Sequence, residues 1–324
     1  MTYHGSDERF KNETTIVLIP EKVSECSLVR KGKTSGTCLS DEAVAMLSAK
    51  VGIDLGADDE QVMSEIKMRY RAADDQDLLR HLPDTVAKKQ LVNFKVVGPV
   101  GVQLLSNTDI DTILSQWATV FPKFYAYNFN MLDYTQNSFR DGRIVEKADT
   151  LATVNPVDIF KKYDCCACVI NSDHYSGQGK HWMALFADNR GVTPTVEFFN
   201  SSGRTPAPEW ISWLERAERS INTVNADNMS KKNPAIVTCS NIVQQFSMTE
   251  CGVYSLFYIW ARLNKVPADY FCKEKVADEL MFEFRAHLYE GYMDRDKTHW
   301  SYDIFKKQTK VKWDSESGHN ENKL

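Results

Sequence analysis

The sequence lacks a long apolar run. Its apolar stretches suffice for a strand or for one helix of a folded core, whereas a helix that crosses a membrane needs about 20 such residues. Residues 1–13 are polar and of mixed charge, without the apolar core of a secretion signal. We therefore expect a protein that has no membrane span, is not secreted and acts inside the cell.

The chain also lacks a strong excess of charge of one sign. Its 39 Lys and Arg residues stand against 44 Asp and Glu residues, which gives a net charge of -5. Binding to nucleic acid usually depends on a basic surface that attracts phosphates. Lys231 and Lys232 are interpreted as a solvated turn and not as such a surface. We therefore expect that the protein requires no nucleic acid.

The cysteine pattern is not that of a disulfide-rich or zinc-binding protein. The eight cysteines stand at irregular spacings in a chain of 324 residues. Cys165, Cys166 and Cys168 lie near His174 in the sequence. However, adjacent residues of a strand point to opposite faces, and Cys-Cys-x-Cys is not a usual zinc spacing. We therefore expect free thiols in a reducing compartment, no bound metal and no cofactor.

The first hundred residues are predicted to be mainly helical. A helix is expected over residues 41–51, with Ser40 as its N-cap and Gly52 just after its end. A second helix is expected at about residues 60–73, where Val62, Ile66 and Tyr70 share a face in the sequence pattern. This part of the chain therefore resembles a small helical domain or arm.

Changes in composition divide the chain into three parts. Residues 96–102 are rich in glycine and proline, as linkers are. We therefore predict an N-terminal, mostly helical arm domain over residues 1–103 and a larger core over residues 104–292. Residues 293–324 are predicted to be a polar tail, disordered at its end from about residue 314.

The core region mixes helices and strands without strict alternation, which indicates an α+β fold. Strands are predicted at residues 166–171, 182–187, 195–199 and 235–243. Helices are predicted at about residues 110–117 behind the cap candidates Asn107–Asp109, and at residues 208–221, 251–263 and about 276–289.

Two of these strands place a pair of polar side chains together. The turn-forming residues 188–194 separate strands 182–187 and 195–199, so the strands should form an antiparallel hairpin. In such a hairpin the start of the first strand lies beside the end of the second. His181 stands at that start and Asn200 at that end. An imidazole and a carboxamide at one rim suit a catalytic base and the group that orients it.

A third candidate stands at the start of the apolar helix 251–263. The backbone N–H groups and the dipole at a helix N-terminus favour the thiolate form of a cysteine such as Cys251. Gly252 would leave room for a substrate backbone to approach. The N–H of Cys251 and the side-chain amide of Gln244 or Gln245 could bind a developing oxyanion, and one such donor can lower a barrier by about 3 kcal/mol.

Each of these residues has an ordinary structural interpretation. A histidine at a strand end, an Asn-Ser-Ser-Gly turn and a cysteine that opens a buried helix are all common without catalysis. The joint pattern is more informative, because His181, Asn200, Gln245 and Cys251 each stand at the rim of a predicted apolar element. Spacing alone leaves catalysis and a purely structural role about equally supported.

The motifs around these residues resemble the active-site segments of the Ulp1-like, or SUMO-protease-like, cysteine peptidases. The segments are Gly179-Lys-His-Trp182, Phe198-Phe-Asn-Ser-Ser-Gly203 and Thr249-Glu-Cys-Gly252. The likeness covers roughly residues 104–289 and, within the family, points to a polyprotein protease of a large DNA virus. It implies an α+β fold with an Ulp1/adenain-like, papain-type core: a mixed sheet flanked by helices, with the catalytic cysteine at a helix N-terminus.

The resemblance also implies roles for the candidate residues. Cys251 would be the nucleophile, His181 the general base and Asn200 the residue that orients His181. Gln245 lies six residues before Cys251, the spacing of cellular SUMO proteases, so it is preferred to Gln244 as the oxyanion-hole donor. The viral relative has a glutamine three residues before its cysteine, where this chain has Met248. The orienting residue is Asn and not the Asp common among SUMO proteases.

The substrate implied by the resemblance is a polypeptide cut after a Gly-Gly-type motif, with Trp182 as a candidate wall of the substrate cleft. This chain contains no Gly-Gly pair, so self-cleavage at that motif is not expected. The implied role is maturation of viral structural polyproteins by a monomeric enzyme, in the host cytoplasm and the virion.

Three other functions compete with this interpretation. A deconjugating isopeptidase that acts on SUMO-like or ubiquitin-like tails would use the same catalytic residues. An acetyltransferase of the same clan is disfavoured, because no inositol-phosphate or coenzyme A motif is seen. A degenerate protease that serves as an adaptor is disfavoured by the intact set of His, Asn, Gln and Cys.

Overall fold

The structure of the protein is a computed structural model. It describes residues 24–290, except residues 31, 57, 100, 102, 136–137, 141–142 and 146–149. The predicted tail at 293–324 and its disordered end lie outside the described residues. The chain forms two compact units, one from the described parts of Lys22–Val97 and Ala286–Gly291, the other from those of Gly98–Arg285.

The smaller unit is built on four short helices around an apolar core. The helices are α1 (Asp41–Val51), α2 (Asp59–Tyr70), α3 (Asp75–Leu78) and α4 (Asp84–Gln90). Ser40 caps α1 by accepting a hydrogen bond from the N–H of Ala43, and Gly52 ends it in the left-handed conformation. The second helix stops at Tyr70, three residues before the predicted end, because Arg71 turns left-handed. Both predicted helices are therefore present.

Cys26 and Cys38 form a disulfide in this unit, so the expectation that all eight cysteines are free is wrong. Both residues belong to the apolar core of the unit, where their Cα atoms are 5.2 Å apart. Irregular spacing along the chain could not reveal this proximity, because the surrounding helices create it. The other six cysteines are free.

The larger unit is organised by a six-stranded mixed sheet. Its strands are β2 (Phe124–Ala126), β3 (Asn130–Met131), β6 (Cys165–Asn171), β7 (Trp182–Asp188), β8 (Thr195–Phe199) and β9 (Ile236–Cys239). The order is β2-β6-β7-β8-β9, with β3 also paired to β6. Strands β6, β7 and β8 are antiparallel neighbours, whereas β2, β3 and β9 pair in parallel. The predicted hairpin is therefore confirmed, while β9 ends before residue 243.

Two pairs of two- or three-residue strands complete the strand inventory of the described residues. The smaller unit pairs β1 (Val96–Val97) with β10 (Tyr289–Glu290) in parallel. The larger unit contains an antiparallel pair of β4 (Ser138–Arg140) and β5 (Arg143–Val145). The predicted linker therefore begins with two strand residues, and residues near the end of the described chain pair with them.

Helices cover both faces of the sheet, as predicted for an α+β core. The helices that follow the N-terminal four are α5 (Asn107–Val120), α6 (Pro156–Phe160), α7 (Pro208–Asp227), α8 (Cys251–Leu263) and α9 (Asp278–Leu288), with α6 beside α7 and α9 beside α8. Alternate side chains of a strand face opposite ways. Leu185, which pairs with Phe198, packs on one face of the sheet in the apolar cluster under α7. Phe199, the next residue, faces the other way and stacks on Tyr258 of α8. All residues of α8 are buried.

Some helix boundaries differ from the predicted ones. The N-cap of α5 is Ser106, which forms a capping box with Asp109, and not one of the candidates Asn107–Asp109. Helix α7 continues six residues past Ile221, because Val224 extends its buried face. Among the described residues, no helix is long and apolar enough to span a membrane.

Candidate active site

The four side chains predicted to carry the chemistry line one cleft of the larger unit. This cleft, hereafter the His181 cleft, has a volume of about 670 Å³. Cys251, His181, Asn200 and Gln245 all contribute to its surface. Its apolar surface comes from Leu132, Met183, Ala207 and Trp210. Residues from a hairpin, a loop and a helix, up to 70 positions apart in the sequence, therefore meet at one place.

The hairpin brings His181 and Asn200 together. His181 directly precedes β7, Asn200 directly follows β8, and Ala184 pairs with Phe199 across the ladder. The Nε2 atom of His181 lies 2.7 Å from Oδ1 of Asn200. The sequence prediction of an imidazole beside a carboxamide is thus met by a short side-chain hydrogen bond.

The neighbours of Asn200 determine which way its amide points. Its Oδ1 accepts hydrogen bonds from the backbone N–H and the hydroxyl of Ser202, at 3.0 and 2.8 Å. Its Nδ2 donates to the carbonyl oxygen of Arg204 at 3.1 Å. An N–H can only donate and a carbonyl can only accept, so Oδ1 must face His181. A neutral His181 therefore carries its proton on Nε2 and has an unprotonated Nδ1.

Cys251 is the first residue of α8, at the helix N-terminus. The backbone N–H groups of Trp182 and Gly252 lie near its thiol and act to lower the thiol's pKa. Cys251 lines one cleft with His181 and another with Trp182, the next residue of the chain, so it lies at the imidazole-bearing end of β7. As the first helical residue, Cys251 also has no acceptor within the helix for its own N–H.

Burial controls the protonation of the cysteine and the histidine. It raises the pKa of the Cys251 thiol, and the two N–H groups only partly offset this effect. It also lowers the pKa of His181, as does the charge of Arg204, although the bond to Asn200 acts in the opposite direction. Burial therefore opposes the thiolate that the helix N-terminus was expected to favour.

The structure separates the two glutamines that the sequence left as alternatives. Gln245 lines the His181 cleft, with Oε1 accepting from Ser201 at 2.7 Å and Nε2 donating to the carbonyl of Ser247 at 2.8 Å. An amide nitrogen has two hydrogens, so one N–H of Gln245 is not used by these bonds. Gln244 is fully buried and its Nε2 donates to the carbonyls of Phe271 and Glu274. Gln244 is therefore a structural residue.

A second cleft meets Cys251 from another direction. This cleft, hereafter the Trp182 cleft, has a volume of about 300 Å³ and is lined by Phe129, Tyr175 and Trp182. The indole N–H of Trp182 donates to the carbonyl of Leu105 at 2.9 Å. A Cβ added at Gly252 would lie 3.1 Å from Leu105 and 3.2 Å from Trp182. Gly252 therefore allows the helix to pack against these two residues, and the predicted open space beside it is not present.

A buried ion pair behind Cys251 was not found from the sequence. Glu250, which immediately precedes Cys251, receives two hydrogen bonds from Arg285, at 2.9 and 3.0 Å. Both side chains are fully buried, and Arg285 also donates to the carbonyl of Gln103. The sequence contains one signal for this pair: Arg285 is a charged residue on the apolar face of α9, one turn after Met281 and one turn before Leu288. The pair connects the start of α8 to the chain just before Leu105.

The loop before His181 is organised by two polar side chains. Oδ1 of Asn171 accepts from the N–H groups of Asp173 and Lys180, both at 3.0 Å. The carboxylate of Asp173 accepts from the N–H groups of His174 and Gly179 and pairs with Lys180 at 3.0 Å. A Cβ at Gly177 would overlap this carboxylate. The loop that lines both clefts is therefore held by its own hydrogen bonds.

Comparison with known proteins identifies relatives that are proteases. A family profile described as "Ulp1 protease family, C-terminal catalytic domain" matches residues 114–301. A SUMO-1 cysteine protease of African swine fever virus is 35% identical over 209 residues, which cover 63% of this chain and 74% of that protein. A candidate thiol protease of Acanthamoeba polyphaga mimivirus is 25% identical over 179 residues, 54% of this chain and 53% of that protein.

The fold comparison leads to the same virus. The crystal structure of a protease of African swine fever virus matches with a TM-score of 0.59 and 29% sequence identity. The match covers 84% of this chain and 97% of that chain. The predicted fold, a mixed sheet flanked by helices, is thus shared with a solved viral protease.

Proposed function

The chain is a cysteine protease of the Ulp1 family, and from that premise we propose that it is an endopeptidase that cuts polypeptides after Gly-Gly-type sites with Cys251 as nucleophile. The observation that carries the proposal is the 2.7 Å bond between His181 and Asn200 on a cleft that Cys251 also lines. A nucleophile, a base and an orienting group on one cleft are the parts that nucleophilic catalysis needs.

In the proposed mechanism, Nδ1 of His181 takes the proton of the Cys251 thiol as the sulfur attacks the scissile carbonyl. Asn200 supports this step because its oxygen keeps the proton of the neutral imidazole on Nε2, which leaves Nδ1 as the acceptor. The imidazolium then gives its proton to the departing amine, and a thioester forms. Water activated by His181 hydrolyses the thioester and restores the thiol.

We propose that the oxyanion is bound by the backbone N–H of Cys251 and by Gln245. The first donor is available because it stands at N1 of α8. The second is supported by the position of Gln245 on the cleft and by its anchored amide, whose oxygen is held by Ser201. The side chain of Met248, also on this cleft, cannot donate a hydrogen bond.

The Gly-Gly preference is supported by the shape of the Trp182 cleft. Its lining combines the rings of Phe129, Tyr175 and Trp182 with the backbone of Gly177 and Gly179 in a volume of about 300 Å³. An extended peptide without side chains can pass such walls. The similarity to proteases of large DNA viruses supports viral polyproteins as substrates and the host cytoplasm and virion as the place of action.

A second candidate activity is removal of a ubiquitin-like modifier from a conjugate. It is favoured by one relative, which is named as a SUMO-1 cysteine protease. The same thiol, imidazole and amide would hydrolyse an isopeptide bond. The difference is that a folded modifier must bind outside the cleft, whereas a short peptide needs only the cleft.

The test is hydrolysis of two sets of fluorogenic substrates, Gly-Gly-Xaa peptides and C-terminal amides of SUMO and ubiquitin. Each set is incubated with the wild-type protein, Cys251→Ala and Cys272→Ala. Cys272 is a free, partly buried cysteine away from both clefts, so it controls for loss of a thiol in general. We expect peptide cleavage by the wild type and Cys272→Ala, and at least a thousandfold loss in Cys251→Ala.

Each other outcome has a defined meaning. Cleavage of the modifier amides without cleavage of the peptides would replace the endopeptidase by the isopeptidase. Activity that persists in Cys251→Ala would disprove the proposed mechanism for either substrate. Loss in both cysteine variants would indicate damage to the fold and would require circular dichroism of each protein before any conclusion.

A further inference from the structure

The two clefts that meet at Cys251 differ in which catalytic groups they contain. Both include Cys251 and Lys180, but only the larger one includes His181. The base must hand its proton to the departing amine, so the part of the substrate that leaves has to lie beside the imidazole. The His181 cleft therefore takes the leaving segment, and the Trp182 cleft takes the segment that forms the thioester. This assignment rests on the proposed function.

The His181 cleft has a one-sided charge. Among the described residues that line it, Lys180 and Arg204 are cationic and none is acidic. Lys180 is partly neutralised by Asp173, which lies 3.0 Å away. Arg204 is exposed and forms no ion pair with a described residue. The uncompensated positive charge of this cleft is therefore that of Arg204.

The backbone of Arg204 is held in place by the catalytic loop. Its carbonyl accepts from Nδ2 of Asn200 at 3.1 Å. The preceding residue, Gly203, has φ +69°, donates its N–H to the carbonyl of Asn200, and passes so close to Val243 that a Cβ would lie 2.9 Å from that residue's nitrogen. The turn is thus built around a glycine, and it fixes the point from which the guanidinium extends.

The charge of Arg204 acts at the reaction centre as well. It is one of the causes that lower the pKa of His181. Because Arg204 lines the same cleft as His181, a substrate carboxylate bound there meets its positive charge. Arg is well suited to that contact, because its planar fork binds both oxygens of a carboxylate.

We propose that Arg204 is a specificity-determining residue that selects acidic side chains in the leaving segment of the substrate. The class of substrate is therefore a polypeptide with a Gly-Gly-type site followed, within a few residues, by Asp or Glu. An exposed ion pair contributes up to about 1 kcal/mol, so the expected preference for Glu over Gln is about fivefold in kcat/KM, carried by KM.

The test uses Gly-Gly peptides that carry Glu, Gln or Lys at each of the first three positions after the scissile bond. They are assayed with the wild-type protein, Arg204→Gln, Arg204→Glu and Arg219→Glu. Arg219 is an exposed arginine of α7 that pairs with Glu215 and lines neither cleft, so it controls for the change of net charge. We expect the wild type and Arg219→Glu to prefer Glu, and Arg204→Glu to prefer Lys.

A second readout distinguishes a charge effect from a structural one. Because Arg204 lowers the pKa of His181, Arg204→Gln should move the acidic limb of the pH profile of kcat/KM to higher pH. The proposal is overturned if the wild type shows no preference among Glu, Gln and Lys, or if Arg204→Glu keeps the wild-type preference. In those cases Cys251-dependent cleavage of the Gln peptides still supports the proposed function. If no peptide is cut, the proposed function fails and this proposal fails with it.

Discussion

Helix α8 has a buried ion pair at each end, and the two pairs are built alike. At its start, Arg285 donates two hydrogen bonds to Glu250, at 2.9 and 3.0 Å. At its end, Arg262 donates two hydrogen bonds to Glu197, both at 2.8 Å. Each glutamate is fully buried. The polarity matches the helix dipole, with the acid at the N-terminus and the base near the C-terminus.

The surroundings of the two pairs differ. Glu250 adjoins Cys251, and Arg285 reaches the carbonyl of Gln103, two residues before the carbonyl that holds Trp182. Arg262 instead contacts Asp188, at the far end of the hairpin from His181. Similar interactions therefore stabilise the same helix, but only one of them lies behind the proposed nucleophile. The contribution of an ion pair to the free energy of unfolding and its effect on catalysis can therefore be measured separately in this helix.

The largest expected effect comes from removing one arginine at a time. Arg285→Met and Arg262→Met each leave a buried carboxylate without its partner, so each should lower the free energy of unfolding by about 3–5 kcal/mol. Urea unfolding followed by tryptophan fluorescence measures this loss. At a temperature where both variants are folded, kcat should fall about tenfold or more only in Arg285→Met, because Cys251 and Trp182 are then less well positioned.

Equal kcat values in the two arginine variants would contradict an effect on kcat that is specific to the pair at Glu250. That result would mean that the pair at Glu250 only stabilises the fold. Reaction of Cys251 with a thiol reagent under native conditions provides the matched control, because a displaced helix N-terminus would change its rate in Arg285→Met and not in Arg262→Met.

The pH dependence of kcat/KM should also distinguish the two ends of α8, with a smaller effect than the removal of an arginine. The proposed mechanism needs neutral His181, whose pKa burial lowers from its ordinary value of 6.5. Protonation below that pKa removes the base, so kcat/KM should rise with pH along a limb centred below pH 6.5. Asn200→Asp would add a negative charge beside the ring, raise the pKa of His181 and move the limb to higher pH.

The control for the titration lies at the other end of α8. Tyr258→Phe removes a group that contacts Glu197 and not the cleft, so the limb should stay where it is in the wild type. A limb that moves equally in Asn200→Asp and Tyr258→Phe, or one centred well above pH 6.5 in the wild type, would contradict the assignment of His181 as the neutral base.

The smallest expected effect is the loss of one hydrogen bond to each glutamate. The hydroxyl of Tyr258 donates to Glu197 at 2.7 Å, and that of Thr249 donates to Glu250 at 3.1 Å. Tyr258→Phe and Thr249→Val should each lower the free energy of unfolding by about 1 kcal/mol. Thermal unfolding measures the loss of stability. A kcat that is more than about threefold lower in Thr249→Val than in Tyr258→Phe would show that the reaction depends on the Glu250 end of the helix.

The parts of the site that depend on local patterns were predictable from the sequence. A turn-rich segment between two apolar runs predicted the hairpin, and the hairpin placed His181 beside Asn200. The apolar run after Cys251 predicted a helix with the bounds that the structure has. These features depend on neighbours in the chain, so periodicity and turn composition are sufficient to find them.

The features that were missed depend on contacts between distant segments. Glu250 and Arg285 meet only when α8 and α9 are packed together, and Cys26 reaches Cys38 only in the folded helical unit. The opposing effect of burial on the Cys251 thiol was missed for the same reason. A helix N-terminus can be recognised in the sequence, but the burial that raises the pKa of Cys251 depends on the whole fold. The catalytic roles of Cys251, His181, Asn200 and Gln245 stay predictions until the variants are assayed.

The complete burial of α8 also affects how this protein can change over evolutionary time. Helix α7 has an exposed side, so substitutions there can accumulate at the outward positions of each turn. Helix α8 has no such side, since each of its residues contacts the interior. A saturation mutagenesis map should therefore show tolerance with a period of about 3.6 residues along α7 and uniform intolerance along α8. The helix that carries the nucleophile would then change only together with its neighbours.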